Sequence, residues 1–403
     1  AKLGLWAVPL AIMGALAIAA LVAVFQYLAW LRLDYWFDTA GDLRIDSGVI
    51  NRNERKLALS RLQAIDVEQP LVARLVGLAI VKIEVAGVGE QKAILAFLTK
   101  ADAEQLRREI LSRAAKEAHE DAVAGPMFEE ETIIARVPPG DLALSLLLRS
   151  ATAGLLALTI LLGISAYFTD GIVGLVLMPF TAGVPILMVA TEFITYYGFT
   201  VSQAGTGLRL RYGLLSTQAQ FVPPGRVQAV DFVEPLLWRR KRWVRLRLTV
   251  AGMGQPSGDG SNKSVGRNVL LPVAGRDEAM AMFARIMPGV DLASIGWHAA
   301  PTKARWRSPI QGTRLAFGWS DQVLITRRGM ITRYLSVVPH ARTQSVRVVQ
   351  GPYQRALGLA STYVDVPPGP VKVVALQQLE PDAARLAQDQ AERAQTARAG
   401  EGR

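Results

Sequence analysis

LRLRYGLLSTQAQFVPPGRVQAVDFVEP, residues 208–235, has the pattern of a small β-sheet. Apolar and polar residues alternate in LRLRYGLL around Gly213, and they alternate again in VDF, residues 230–232. A further alternating run, LRLTV, ends at Val250. Successive side chains of a strand point to opposite faces, so this alternation predicts strands with one buried face, joined by turns.

The same pattern occurs three times in the chain, which indicates an internal repeat. The first copy starts at Leu43 with LRIDSGVINRNERKLALSRLQAIDVEQP, and the third starts at Val323 with VLITRRGMITRYLSVVPHARTQSVRVVQGP. In every copy a glycine lies 15 residues before a glutamine, an arginine lies two residues before that glutamine, and a valine lies 22 residues after it. The three sets are Gly48, Arg61, Gln63 and Val85; Gly213, Arg226, Gln228 and Val250; and Gly329, Arg342, Gln344 and Val366.

A helix is predicted after the strands of each copy. In the first copy Thr99 and Asp102 resemble a capping box, and apolar residues follow at helical spacing: Ala103, Leu106, Ile110 and Ala114. The second copy has one predicted apolar face, formed by Met280, Phe283 and Met287, and the third has a weaker helical pattern after Pro381. The predicted unit is a small antiparallel sheet or barrel with one terminal helix.

The N-terminal segment is predicted to be a transmembrane helix, assigned to residues 1–38. It is uncharged from Leu3 to Leu31, and these 29 residues exceed the ~20 that a helix needs to cross a bilayer. A signal peptide is the competing interpretation, but its apolar core has only about 7 to 15 residues.

A transmembrane helical hairpin is predicted within residues 142–198. Residues 150–169 and 171–191 are uncharged and are separated by Asp170 alone. The tip around Asp170 lacks Lys and Arg, whereas Arg136, Arg149, Arg209 and Arg211 flank the other ends. By the positive-inside rule the polar segments are cytoplasmic, and we expect a further helix upstream of the first one.

The repeat resembles a known family. The glycine, arginine and glutamine pattern, followed by an alternating strand and Ala-Gly, is similar to the membrane-flanked bacterial pleckstrin-homology (PH) domains, and the order of segments is similar to that of the large YdbT-type members. The resemblance covers nearly the whole chain and implies a PH-like barrel capped by a helix, without an established catalytic site or ligand. The predicted fold class is an α+β membrane protein with PH-like domains at residues 39–135, 199–290 and 305–400.

The sequence offers no group of residues typical of catalysis or of metal binding. The chain has no cysteine, and His119, His298 and His340 are far apart in the sequence. The glycine-rich segment 252–268 lacks the glycine before Lys263 that a phosphate-binding loop requires, and is predicted to be a hairpin loop. We therefore predict no enzyme activity, no cofactor and no metal.

Positive charge is concentrated in the second half of the chain. Residues 201–403 contain 28 basic and 13 acidic residues, and the densest stretch is WRRKRWVRLRL, residues 238–248. Its candidate binding residues are Trp238, Arg239, Arg240, Lys241, Arg242, Trp243, Arg245 and Arg247. We call these eight residues the basic stripe.

The alignment of the copies argues that the fold does not require the basic stripe. Where the second copy has Arg242, the first and third have Gly77 and Gly358 within nearly neutral segments. Arg239 to Arg242 are predicted to form a loop. Strand alternation after the loop predicts an outward face with Trp243, Arg245 and Arg247, and an inward face with Val244, Leu246 and Leu248.

Four partners suit such a stripe: solvent alone, nucleic acid, an acidic protein or an anionic lipid surface. A membrane anchor brings lipid nearest, and each Lys or Arg near an anionic leaflet contributes ~1 kcal/mol, so we expect anionic phospholipids and no nucleic acid.

The predicted function is that of a non-enzymatic, multi-pass protein of the bacterial inner membrane. Its cytoplasmic PH-like domains would dock on anionic headgroups or on a membrane partner, in the response of the envelope to stress. The alternative is a scaffold whose repeats bind protein, and the family resemblance implies a small membrane-anchored protein with a single PH domain as the partner. Transport is a weaker interpretation, since the predicted helices lack paired charges.

Overall fold

The computed structural model describes Met13, Val24, and residues 34–38, 42–47, 53–57, 62–70, 73, 76–85, 91–117, 132–169, 172–204, 207–222, 225–251 and 268–401. Most of the predicted N-terminal helix, apart from Met13, Val24 and residues 34–38, lies outside this part of the chain, as does the glycine-rich segment 252–267. The chain divides into two compact units, residues 1–128 with 215–219, and residues 129–214 with 220–403.

The first unit contains two antiparallel sheets and a helix. Strands β1 (Asp34–Phe37), β2 (Leu43–Ser47) and β3 (Asn53–Leu57) form one sheet; β4 (Leu62–Pro70), β5 (Leu78–Val85) and β6 (Gln91–Thr99) follow in the other, before helix α1 (Lys100–Glu117). Residues 215–219 belong to this unit, where Ser216 and Thr217 pair with Pro70 and Gln69.

The structure of the first unit tests two of the predictions. The predicted helical segment 1–38 is wrong at its end, because residues 34–37 form β1 and pair with β2, from Asp34 opposite Asp46 to Phe37 opposite Leu43. Three consecutive aromatic residues favour a strand there. The predicted cap of α1 is present: the Asp102 amide donates to Thr99 Oγ1 at 3.2 Å, and the Thr99 hydroxyl donates to Asp102 Oδ2 at 2.6 Å.

The second unit begins with elements that lead into the helical hairpin. They are β7 (Thr132–Arg136), α2 (Pro139–Leu147), α3 (Ser150–Thr169) and α4 (Ile172–Tyr196), followed by β8 (Thr200–Ala204) and β9 (Gly207–Tyr212). Strand β10 (Ser216–Val222) comes next, and only its residues from 220 onward belong to this unit. All of strand β7 except Arg136 lies within the predicted first domain, 39–135, but the strand pairs with β8, which pairs in turn with β9.

The second repeat continues with β11 (Val227–Pro235), a 3-10 helix (Leu236–Lys241), β12 (Trp243–Val250), β13 (Val269–Gly275) and α5 (Arg276–Ile286). Of the three residues of the predicted apolar face, Phe283 and Met287 are buried as expected, but Met280 is exposed, and Ala279 and Met282 are buried in its place. The buried face is thus shifted from the predicted one, since α5 packs on β12 and β13 through its 279, 282 and 283 positions.

The third repeat contains seven strands and ends in a long helix. Its elements are β14 (His298–Ala299), α6 (Ala304–Arg307), a 3-10 helix (Gly312–Arg314), β15 (Ala316–Trp319), β16 (Val323–Arg328), β17 (Thr332–Pro339), a 3-10 helix (His340–Arg342), β18 (Ser345–Val349), α7 (Pro352–Leu357), β19 (Leu359–Asp365), β20 (Val373–Leu379) and α8 (Glu380–Glu401).

One sheet joins the second and third repeats. Its strand order is β13-β12-β11-β17-β16-β15-β14, and β11 pairs with β17 from Val230 opposite Val337 to Pro235 opposite Thr332. Pairing two edge strands satisfies backbone groups that each repeat alone would leave exposed. The two repeats are therefore parts of one folded body.

Among the described residues, one helix is a candidate membrane span. Residues 150–168 of α3 are long and apolar enough to cross a bilayer, whereas the apolar part found in α4, Ala182–Tyr196, is shorter. Helices α3 and α4 pack against each other, and α4 runs through Pro179 and Pro185. The predicted multi-pass topology is thus not supported beyond this single candidate span.

Candidate functional site

The basic stripe divides into a buried half and an exposed half. Trp238, Trp243 and Arg245 are buried, with 1%, 9% and 8% of their surface exposed. Arg239 and Arg247 are half-buried. The three exposed members are Arg240, Lys241 and Arg242.

The predicted outward face of Trp243, Arg245 and Arg247 is wrong. Strand β12 is an interior strand, paired with β11 on one edge and β13 on the other, and both of its faces are covered. Leu246 is fully buried, as predicted, but Arg245 on the opposite face is nearly as inaccessible. Alternation identifies which side chains share a face, but only packing decides whether that face meets solvent.

Trp238 anchors the 3-10 helix to α2. Its indole Nε1–H donates to the Ser145 carbonyl at 2.8 Å, and its ring meets that of Trp243 edge to face with centroids 6.3 Å apart. Ser145 is buried too. Burial of a tryptophan removes about 150–250 Å² from water and stabilises by about 4 kcal/mol or more. The exposed basic residues are thereby held beside the helix that leads into α3.

Arg245 connects the second repeat to α4. Its Nη2 lies 3.3 Å from Glu192 Oε2, its Nε donates to the Pro272 carbonyl at 3.1 Å, and its guanidinium lies over the Tyr196 ring. Glu192 also accepts a hydrogen bond from Arg149, the residue immediately before α3. One carboxylate therefore joins the start of α3, the end of α4 and strand β12.

Arg247 takes part in the junction between the second and third repeats. It forms an ion pair with Asp231, which is fully buried, and Ser336 Oγ donates to Asp231 Oδ1 at 3.0 Å across the β11–β17 pairing. Burial raises the pKa of the Asp231 carboxyl, and the Arg247 charge opposes that effect. The role of Arg247 is to compensate a buried acid.

Arg239 also binds within the protein. Its Nη2 donates to the carbonyls of Met330 and Ile331, the second at 3.0 Å, in the turn between β16 and β17. Within the described residues, four members of the stripe thus donate side-chain hydrogen bonds to backbone or carboxylate oxygens: Trp238, Arg239, Arg245 and Arg247.

The three exposed members of the stripe make few contacts within the protein. Lys241 lies over the Trp243 ring, with Nζ 4.9 Å from the centroid, and Arg242 is 3.8 Å from Asp277 in an exposed ion pair. Within the described residues Arg240 has no hydrogen bond or ion pair. Exposed pairs of this kind contribute little, so all three charges are accessible to an anionic surface.

Sequence reasoning missed the partners of the stripe. Glu192, Ser145, Asp231 and Ser336 are distant in sequence from most of the residues they bind, and no spacing rule relates them. One signal was present: Glu192 is the only charged residue in segment 171–200, and an acid at the end of an apolar helix indicates a specific partner.

The predicted absence of a metal site stays a prediction. Among the residues that the structure describes, no group of three or more His, Asp or Glu side chains could hold a metal ion. His298 stacks on Phe317 and Trp319, His340 is hydrogen-bonded in the third repeat, and His119 lies outside the described residues.

Comparison with known families agrees with the three repeats. A family model described as "Bacterial PH domain" matches residues 3–114, 144–290 and 269–394, which together span most of the chain. The chain belongs to the bacterial PH domain family. The internal repeat predicted from the sequence is thus confirmed, and its bacterial PH domains indicate a module that binds lipid or protein. No curated protein matches the chain.

Proposed function

We propose that this bacterial PH domain protein is a non-enzymatic integral protein of the bacterial inner membrane, whose cytoplasmic domains dock on anionic lipid headgroups. The observation that supports this most is the position of Arg240, Lys241 and Arg242. They extend from a 3-10 helix that Trp238 anchors to α2, and α2 leads directly into the candidate span α3.

In this proposal the three exposed charges orient the domain on the bilayer. They are not needed to recruit the protein to the membrane, because a spanning helix already holds it there. Three exposed basic residues at ~1 kcal/mol each supply about 3 kcal/mol, enough to shift a docking equilibrium by about a hundredfold. The attraction falls off within a Debye length of about 8 Å. We propose that a YdbT-type assembly uses this docking in the envelope's response to stress.

Chemical labelling of Lys241 in the intact chain tests the lipid proposal. The chain would be reconstituted into nanodiscs of neutral phosphatidylcholine or of the same lipid with phosphatidylglycerol, and amine acetylation at Lys241 would be quantified by mass spectrometry. Docking predicts several-fold slower acetylation in anionic discs at low salt, with recovery at high salt because screening weakens the attraction.

A matched variant separates docking from lipid effects on the reagent. Arg240→Ser combined with Arg242→Gly removes two exposed charges that no buried group needs, so it should fold normally and lose most of the protection. Equal acetylation of Lys241 in neutral and anionic discs at low salt would reject the lipid proposal.

A second candidate function is a scaffold, and the β11–β17 pairing favours it. That pairing shows two repeats of this chain binding each other edge to edge, and β18, the counterpart of β11 in the third repeat, has an outer edge that no described strand covers. A scaffold would leave Lys241 labelling independent of lipid charge. It would also copurify in mild detergent with a stoichiometric partner, for which a small protein with a single PH domain is the candidate.

A further inference from the structure

The hairpin turns of the repeats carry an apolar pair where polar residues are usual. Gly213 is followed by Leu214 and Leu215, and Gly329 by Met330 and Ile331; Gly48, Val49 and Ile50 repeat the pattern in the sequence of the first copy. Gly, Asn, Asp, Ser and Pro dominate such turns. The glycine has a backbone role, since Gly329 has a φ of +86° and a Cβ there would lie 2.0 Å from the Thr332 carbonyl oxygen, but the apolar pair has no such role.

These apolar side chains are exposed. Exposed fractions are 37% for Leu214, 36% for Met330 and 58% for Ile331, and two residues of the neighbouring 3-10 helix, Leu236 and Leu237, are 47% and 40% exposed. Single exposed apolar residues are ordinary on a protein surface. A convergence of five marks an interaction surface.

The two turns meet the hairpin at the same end. The Gly213 amide donates to the Tyr197 carbonyl and the Leu214 amide to the Ile194 carbonyl, both at 2.9 Å, at the end of α4. Next to Ile331, Thr332 Oγ1 lies 3.4 Å from Ser150 Oγ, at the first residue of α3. The ion pair between Arg149 and Glu192 joins these two helix ends.

Leu236 and Leu237 belong to the same region. They begin the 3-10 helix whose Arg239 holds the Met330 and Ile331 carbonyls and whose Trp238 binds α2. Arg240 and Lys241 follow on that helix and are exposed. Apolar side chains bordered by basic ones match the chemistry of the bilayer interface, where acyl chains lie beneath anionic headgroups.

We infer that Leu214, Leu236, Leu237, Met330 and Ile331 insert into the interfacial layer of the bilayer around the base of the α3–α4 hairpin. We call these five residues the wedge. The inference rests on the proposed function in one respect, that α3 lies in a membrane, and it does not depend on anionic lipid. Because α3 starts at Ser150, beside the β16–β17 turn, the bilayer boundary reaches the wedge without any rearrangement of the chain. The second and third repeats are thereby fixed against the lipid by two turns as well as by the span.

Depth-dependent quenching in the full chain tests the wedge. The chain has no cysteine, so Ile331→Cys, Leu237→Cys and the control Asp321→Cys each give one attachment point for an environment-sensitive fluorophore. Asp321 is exposed and lies at the opposite end of β16 from Ile331, about 20 Å or more away at ~3.3 Å per strand residue. Each labelled chain would be reconstituted into neutral phosphatidylcholine vesicles with and without acyl-chain nitroxide lipid in both leaflets.

Insertion predicts blue-shifted emission at positions 331 and 237, and quenching by the nitroxide at least ~2-fold stronger than at 321, because interfacial segments lie about 5–10 Å into the boundary. Iodide in the water should quench mainly the 321 label. Emission and iodide quenching at 331 and 237 equal to those at 321 would overturn the wedge and indicate a surface for protein instead.

Flotation of the same samples separates the two proposals. If the chain floats with the vesicles after alkaline washing while the labels remain in water, the wedge fails and the proposed integration stands. If the chain does not float, integration fails and the wedge fails with it.

Discussion

Arg242 is a residue in a backbone conformation that favours glycine. Its φ is +54°, in the left-handed region, and the aligned Gly77 and Gly358 have φ values of +75° and +66°. All three repeats therefore make the same turn before the same strand. A residue with a side chain is less stable in this conformation by about 1–2 kcal/mol, so Arg242 provides one exposed charge but destabilises the turn.

Arg242→Gly should raise the stability of the second unit. The gain is expected to be about 0.5–1 kcal/mol, because relief of the left-handed strain exceeds the entropy that glycine adds to the unfolded chain. Loss of the exposed Asp277 pair subtracts little. Thermal unfolding in detergent measures the change, and Arg242→Ala is the control, since it loses the same pair but keeps the Cβ. A gain for alanine equal to that for glycine would contradict the explanation.

At the scale of elements, a buried histidine fastens helix α8 to the third repeat. His340 is 1% exposed; its Nδ1 lies 3.0 Å from Gln390 Oε1 on α8, and its Nε2 lies 2.9 Å from the Ser320 carbonyl oxygen. Gln390 Nε2 donates to Thr343 Oγ1 at 2.9 Å. Burial lowers the pKa of His340, with Arg393 lowering it further and the two hydrogen bonds and Asp321 opposing.

The lowered pKa predicts that α8 docks less firmly in mild acid. A depressed histidine pKa contributes stability that is present above the unfolded value, about 6.5, and is lost as the pH falls through the folded value. Amide hydrogen exchange of residues 380–401, corrected for the intrinsic rate, should therefore be faster at about pH 5.5 than at about pH 7.5. In His340→Asn this difference should disappear; its persistence would assign the effect to another group.

On the scale of the whole second unit, Glu192 couples the helical hairpin to the sheet. It accepts from Arg149 beside α3 and from Arg245 on β12, whose side chain is only 10% exposed. Removal of the carboxylate leaves the Arg245 charge largely buried without its acid. Hydrogen bonds to charged groups contribute about 1.5–3 kcal/mol, so loss of the Glu192 carboxylate should weaken the packing of the hairpin against the second repeat.

Glu192→Ala should lower the stability of the second unit by about 2 kcal/mol or more. The matched control is Asp389→Asn, which breaks a partly exposed pair with Arg393 on α8 and should cost less than about 0.5 kcal/mol. Thermal unfolding of the full chain in one detergent compares the two. Equal losses would show that Glu192 has no coupling role.

Much of the fold could be read from the chain alone, because it depends on local patterns. Alternation located the strands, Thr99 and Asp102 located the start of α1, and the spacing of glycine, arginine and glutamine identified three repeats. The alignment also placed Gly77, Arg242 and Gly358 in one column, and the structure shows that all three adopt the same left-handed conformation.

The site could not be read in the same way, because its state depends on contacts between distant segments. The sequence determined that eight charged or aromatic residues lie together in residues 238–247, and that Trp243, Arg245 and Arg247 share a face of β12. Only the tertiary structure decided that Glu192 and Asp231 neutralise two of those charges, that Ser145 holds Trp238, and that Arg240, Lys241 and Arg242 remain exposed. The physical reason is that strand alternation fixes the direction of a side chain, whereas burial depends on which other element packs against that face.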